Sequence, residues 1–320
     1  MRPRAHFFAS LLVGLAAVEL LSSRAVADDF PKLLTDWVAV VDRPVFQGTG
    51  DNSWDKKIRE RGYILVENGT YHLWYTGYND DRSPSKFLGH ATSADGVRWT
   101  RDPANPVFSG AWTEDVCVLK RDAGYVLFAE GKNDVAHQLT GTDPVHWTDL
   151  GPLDVRKVDG TPITPGPYGT PAVWHEGGVW YLFYERGDLG VWLATSKDRK
   201  VWTNVQDTPV IAMGPEPYDK AAVAVNQIIK RDGVYYAFYH ANSQRPWKDW
   251  TTNIARSRDL IHWEKFPGNP IIQNNCSSAV LVSGPDGDRL YTMHPDVRVF
   301  KPAATAKPKP ASEGLPKGQR

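Results

Sequence analysis

The side chains in this sequence best suited to chemistry are carboxylates: Glu60, Glu114, Asp115, Glu130 and Glu185. Carboxyl groups that share a pocket perturb one another, so that one keeps its proton near neutral pH while another stays ionised. That split supplies a proton donor and a proton acceptor, the minimum that general acid–base catalysis needs. Glu114 and Asp115 stand side by side in Trp112-Thr-Glu-Asp-Val116. Glu60 is flanked by Arg59 and Arg61, which either bind an anionic group or pair with Glu114 or Asp115. Other reactive patterns are missing: the chain has no P-loop, dinucleotide-type glycine motif, H-E-x-x-H or C-x-x-C, and no nucleophile elbow around a serine. His90, His137, His175 and His240 lack metal-ligand spacing, so no metal ion and no cofactor is expected.

These residues ride on a repeat. An aromatic, strand-like segment appears as Tyr71-His-Leu-Trp-Tyr75, Tyr125-Val-Leu-Phe-Ala129, Trp180-Tyr-Leu-Phe-Tyr184 and Tyr235-Tyr-Ala-Phe-Tyr239, at intervals of 54, 55 and 55 residues. Each follows a turn such as Glu67-Asn-Gly-Thr70 or Asp232-Gly-Val234 and, before it, an apolar run, which marks a β-hairpin. Farther on, S-x-D-x-x-x-W occurs at Ser93, Asp95 and Trp99, at Ser196, Asp198 and Trp202, and at Ser257, Asp259 and Trp263, with Gly141, Asp143 and Trp147 as a variant. The Asp suits a turn in which its carboxylate accepts backbone N–H groups, and the Trp opens the next strand. Four strands per repeat make a propeller blade. Four units are complete. A fifth, from Ser278-Ala-Val-Leu-Val282, Leu290-Tyr-Thr-Met-His294 and Val297-Arg-Val-Phe300, lacks an outer strand, which Trp37 to Phe46 supplies. The expected fold is all-β: a five-bladed β-propeller over residues 28–300, its ring closed by an N-terminal strand in the last blade. Closure removes the sheet edges that invite aggregation.

Counting from the repeated aromatic, Arg61, Asp115, Thr170 and Val225 lie ten residues earlier, and Thr76, Glu130, Glu185 and His240 five later. In antiparallel hairpins both sets reach one end of the central channel, with Asp115 directly opposite Glu130. Asn226 and Gln227 on blade four, and His294 and Arg298 on blade five, place polar groups where a core expects apolar ones. Trp247 and Trp250 sit in a loop on the same face and are free to stack on a ligand. Trp37, Trp99, Trp147, Trp202 and Trp263 recur once per blade and read as packing between blades.

Residues 1–27 read as a secretory leader: Arg2 and Arg4, a short apolar run, and Ala25-Val26-Ala27 as a cleavage site. The mature chain is therefore expected to be secreted or periplasmic. Residues 301–320, rich in Pro, Ala and Lys, read as a flexible tail. Cys117 and Cys276 fall in repeats that are not neighbours, which favours two buried free thiols over a disulfide. Lys plus Arg and Asp plus Glu both total 37, which argues against a nucleic-acid partner, since phosphate binding needs a basic surface. No other segment is long and apolar enough to span a membrane, and a monomer is expected.

The aromatic strand followed by S-x-D-x-x-x-W, five units to a chain, resembles the five-bladed glycoside hydrolases: family 43 arabinanases and xylosidases, family 32 invertases, and relatives in families 117 and 130. The resemblance covers residues 37–300 and implies a carbohydrate substrate. In family 43 the base is an Asp on blade one, a pKa-tuning Asp sits on blade two, and the acid is a Glu on blade three. Trp112-Thr-Glu-Asp-Val116 is similar to the blade-two motif and puts Asp115 at the tuning position. Blade one carries Arg61 at the base position with Glu60 beside it, and blade three reads Gly169-Thr170-Pro171 where the family has its acid. The assignment that follows has Glu60 as base, Asp115 as tuner and Glu185, across the hairpin, as acid, with His240 an alternative donor. Arg61, Glu114, Glu130, Asn226, Gln227, His240, Trp247, His294 and Arg298 are the expected substrate-binding residues, Arg59 or Arg61 suiting a uronate or sulfate. The expected activity is hydrolysis of glycosidic bonds with inversion. The alternatives are a carbohydrate-binding propeller without catalysis and a phosphorylase like those of family 130, which needs a basic phosphate site.

Overall fold

The computed structural model describes residues 30–305 other than 165. Each repeated aromatic segment alternates large side chains that bury between neighbouring sheets, and each forms the second strand of a propeller blade. Blade one comprises Lys57–Glu67, Thr70–Asn79, Ser83–Ser93 and Thr100–Arg101; blade two comprises Glu114–Arg121, Gly124–Gly131, Val135–Gly141 and Trp147–Pro152. Blade three has Gly169–Glu176, Val179–Glu185, Gly190–Ser196 and Val201–Asn204, extended by Asp154–Arg156, which runs parallel to the outer strand, and by Ile211–Ala212. Blade four has Ala222–Arg231, Val234–Asn242, Thr251–Ser257 and Trp263–Lys265. Blade five has Val280–Gly284, Gly287–Thr292 and Arg298–Pro302, and its fourth strand is Trp37–Ala39 from the start of the domain.

That closure corrects the boundary of the expected tail. Lys301 and Pro302 pair with Val38 and Trp37, and Ala303–Thr305 forms a short 3-10 turn. The leader expected over residues 1–27 and the tail beyond residue 305 lie outside the described residues. Among the described residues no helix is long and apolar enough to cross a membrane.

The S-x-D turns act as read from their spacing. Asp95 Oδ1 accepts the N–H groups of Val97 and Arg98 at 2.9 and 2.8 Å, and Asp259 Oδ1 accepts those of Ile261 and His262 at the same distances. Each turn delivers its Trp to the second-strand aromatic of the preceding blade. Trp147 meets Trp74 edge-on at 6.2 Å, Trp202 meets Phe128 at 5.8 Å, and Trp263 meets Phe183 at 5.9 Å. Trp99 of blade one meets Tyr291 of blade five at 6.5 Å, so the same contact closes the ring. Such edge-to-face pairs add to the large apolar area each ring buries. Both cysteines are free and buried.

Candidate active site at the channel mouth

A β-bulge interrupts the first strand of blades one to four where it reaches the mouth of the channel. In blade one Arg59 faces Thr76, and the next regular pair is Tyr63 with Trp74. In blade two Glu114 faces Glu130, then Cys117 faces Phe128; in blade three Gly169 faces Glu185, then Ala172 faces Phe183. Blade four breaks register between Val225 and Gln227. The bulged residues Glu60, Asp115 and Thr170 hold φ of 55°, 49° and 43°, a left-handed backbone that non-glycine residues seldom adopt. A bulge bends its strand and re-aims the side chain it carries.

The bulges correct two expectations that assumed one residue opposite one. Glu130 stands opposite Glu114, not Asp115, and the blade-one counterpart of Asp115 is Glu60, not Arg61. The second-strand ends do occupy equivalent places as expected: Thr76, Glu130, Glu185 and His240. His294, bridged to Ser277, completes the set in blade five.

All of these ends except Thr76 line a cavity of about 670 Å³. Of the residues expected at the site, Glu60, Glu114, Asp115, Glu130, Glu185, His240, Trp247 and His294 line it. Arg61, Asn226, Gln227 and Arg298 do not. Arg61 is fully buried beneath the cavity and spans the channel. Its guanidinium donates to the carbonyls of Asp115 and Val116 in blade two, Pro171 in blade three, and Val225 and Asn226 in blade four. Backbone carbonyls saturate its donors, so Arg61 is a structural pin rather than a sugar contact. Asn226 donates its amide to His240 Nδ1 at 2.9 Å, and Gln227 bridges to the backbone of Leu281 in blade five. Arg298 pairs with Asp296 at 3.0 Å.

Charge divides the carboxyls. Burial works to raise Glu60, but Arg59, ion-paired to it at 3.0 Å, and the imidazole of His294 outweigh burial and hold Glu60 below the ordinary carboxylate range. Burial, reinforced by the neighbouring Asp188, pushes Glu185 up to about 8. Asp115 lies well above the ordinary range because it is buried and faces Glu60, and Glu130 does so because it is buried and faces Asp115 and Glu114. Burial raises Glu114 too, although Arg59 pairs with it at 3.1 Å. Burial holds His240 down at about 3, so the ring is neutral in the working range.

Asp134 and Asp188 also line the cavity and were not singled out from the sequence. Each lies a few residues beyond a second-strand Glu, in the turn to the third strand, so an acid in that turn on the active face was the signal to look for. The loop after blade four's second strand forms one wall. Its Trp247 and Trp250 rings lie 5.6 Å apart, Trp250 meets His240 edge-on at 5.0 Å, and Trp247 remains 39% exposed. An exposed indole over a polar cavity suits stacking against a sugar ring.

No family model matches the chain. Among characterised proteins it is similar to a 1,2-beta-oligomannan phosphorylase of Thermoanaerobacter sp. (strain X514), 23% identical over 273 residues that cover 75% of this chain and 88% of the relative. Among solved structures it is similar to a glycosyl hydrolase from Bacteroides ovatus, with a TM-score of 0.67 at 16% identity, covering 83% of this chain and 92% of that one. It is also similar to a beta-1,2-mannobiose phosphorylase from Listeria innocua in complex with beta-1,2-mannobiose, with a TM-score of 0.61 at 14% identity, covering 83% and 95%. The chain thus has the five-bladed propeller fold found among glycoside hydrolases and phosphorylases.

Proposed function

We propose that this protein hydrolyses a glycosidic bond in the channel-mouth cavity, with water rather than phosphate as the acceptor. The observation that carries this reading is the charge of the cavity. Eight carboxyl side chains line it: Glu60, Glu114, Asp115, Glu130, Asp134, Glu185, Asp188 and Asp249. The guanidinium in the lining, Arg59, is engaged by Glu60 and Glu114. Besides Arg59 the lining carries one ammonium, Lys248, so inorganic phosphate entering such a pocket meets carboxyls on most sides, ionised Glu60 among them, whereas a neutral sugar and a water molecule meet no such repulsion.

In the proposed reaction Glu185 gives its proton to the glycosidic oxygen as the bond from that oxygen to the anomeric carbon breaks. Glu60, ionised, takes a proton from the water whose oxygen attacks the same carbon from the opposite face, giving inversion. Solvent then returns a proton to Glu185 and accepts one from Glu60. Asp115 tunes the pair from the neighbouring bulge. A second reading makes Asp115 itself the donor, because burial and then the charge of Glu60 are what raise it.

The phosphorylases of β-1,2-linked mannosides among its relatives make β-1,2-mannobiose and longer β-1,2-mannooligosaccharides the first substrates to try. The test is a glycan panel, run with and without inorganic phosphate, on the purified protein and on Glu60→Gln, Asp115→Asn and Glu185→Gln. The reading expects free reducing sugar at a rate indifferent to phosphate, lost in Glu60→Gln and Glu185→Gln. Wild-type turnover in all three variants sinks the site assignment, and tight glycan binding without cleavage favours a binding propeller.

A further inference from the structure

Gly169 opens blade three beside two carboxyl groups that come from different blades. A Cβ placed on it would clash with Glu130 Oε2 and lie 2.7 Å from Glu185 Oε1, so a larger residue would push the two carboxyls from their places. Both oxygens therefore converge on the space that a side chain at this position would fill. The same corner of backbone holds both groups in place. The Thr170 N–H donates to Glu130 Oε2 at 2.7 Å and the Thr170 hydroxyl to the same oxygen at 3.2 Å, while the Gly169 N–H donates to Glu185. Glu185 Oε2 accepts the N–H of Asp188, and Oε1 is the oxygen beside Gly169.

We propose that Glu130 and Glu185 are a proton-sharing carboxyl pair built across Gly169, in which Glu130 is the positioning residue that keeps a transferable proton on Glu185. Two ionised carboxylates this close and this buried repel strongly, and one proton held between them removes the repulsion. The charged groups that act most strongly on the pair, Asp115, Glu114, Asp188 and Asp134, are all carboxyls, and the cations of the lining are Arg59, held by Glu60 and Glu114, and Lys248. Four backbone and hydroxyl donors stabilise the one negative charge that remains. The pair also accounts for Thr170, a β-branched residue at φ 43°, whose left-handed backbone turns its N–H onto Glu130. The first strand of blade three thus has no acid at this corner; Glu185 comes from that blade's second strand and Glu130 from the neighbouring blade.

The inference rests on the proposed role of Glu185, and two measurements separate their failures. Infrared difference spectra in the carboxyl C=O region follow protonation in the protein without any substrate. Between about pH 5 and pH 9 the wild type is expected to lose a C=O band that is absent in Glu185→Gln. In Glu130→Gln, and in Gly169→Ala, whose methyl wedges the groups apart, the midpoint of that band should fall by about one pH unit or more, at least a tenfold change in proton affinity. The alkaline limb of kcat/KM on β-1,2-mannobiose should move with it, which a loss of folding alone would not produce. Thermal melts confirm that each variant folds. An unmoved midpoint in a folded Glu130→Gln overturns the pair, whether or not the protein is a hydrolase. A shifted midpoint in a protein that cleaves no glycoside leaves the pair standing and removes the hydrolytic reading.

Discussion

Two carboxyls of one chemical type are assigned opposite tasks by their neighbours. Glu60 sits on a strained bulge against Arg59 and stays ionised; Glu185 sits at a strand end among other acids and holds its proton. If these are base and acid, their loss must differ in a way a structural role would not. Glu185→Gln should slow β-1,2-mannobiose cleavage by ~10²–10⁴-fold, the usual worth of a positioned acid. It should act almost normally on a dinitrophenyl glycoside, whose leaving group needs no proton. Glu60→Gln should lose both substrates. An Asp115→Asn variant with the activated-substrate pattern of Glu185→Gln would move the donor to Asp115. At this scale the sequence was partly legible. Residue type and repeat spacing pointed to Glu130, Glu185 and His240 because second strands pair regularly. Arg61 was misread as a sugar contact, because no local pattern tells an arginine in the cavity wall from one that donates to carbonyls of three other strands.

The strands themselves were the most legible feature. Aromatic segments repeated every 54 or 55 residues can bury their large faces only by stacking sheet on sheet, and the five blades follow. Bulges were not legible, because one or two extra residues on one strand leave the hydrophobic pattern almost unchanged while they re-aim Glu60, Asp115 and Thr170. The two classes of Trp separate at this scale. Trp202 is fully buried against Phe128, so Trp202→Ala should cost ~3–5 kcal/mol in denaturant unfolding. Trp247 is a partly exposed wall of the cavity, so Trp247→Ala should change stability by less than ~0.5 kcal/mol and weaken glycan binding, as calorimetry would register. Equal stability losses in the two variants would mean that Trp247 is packing after all.

The whole molecule pays for its acidic mouth with pH sensitivity. Glu185 and Asp188 are pushed up to about 8 and about 6 in the fold, above their unfolded values. A raised carboxyl contributes stability at low pH that is lost as pH rises through its folded value. Melting temperature should therefore decline between about pH 5 and pH 9, and Glu185→Gln, which cannot ionise, should flatten the decline. A profile that Glu185→Gln leaves unaltered would show that Glu185 ionises as freely in the fold as outside it. Ring closure by Trp37–Ala39 and the pin of Arg61 hold the five blades at the spacing that brings these groups together. The central claim is that water attacks in this cavity, and isotope transfer tests it most directly. Cleavage of β-1,2-mannobiose and the wider glycan panel in ¹⁸O-labelled water, with and without phosphate, should place the label on the anomeric carbon of the released sugar under both conditions, and Glu60→Gln should abolish it. Formation of a sugar 1-phosphate that requires phosphate, with no label in the sugar, would contradict the account.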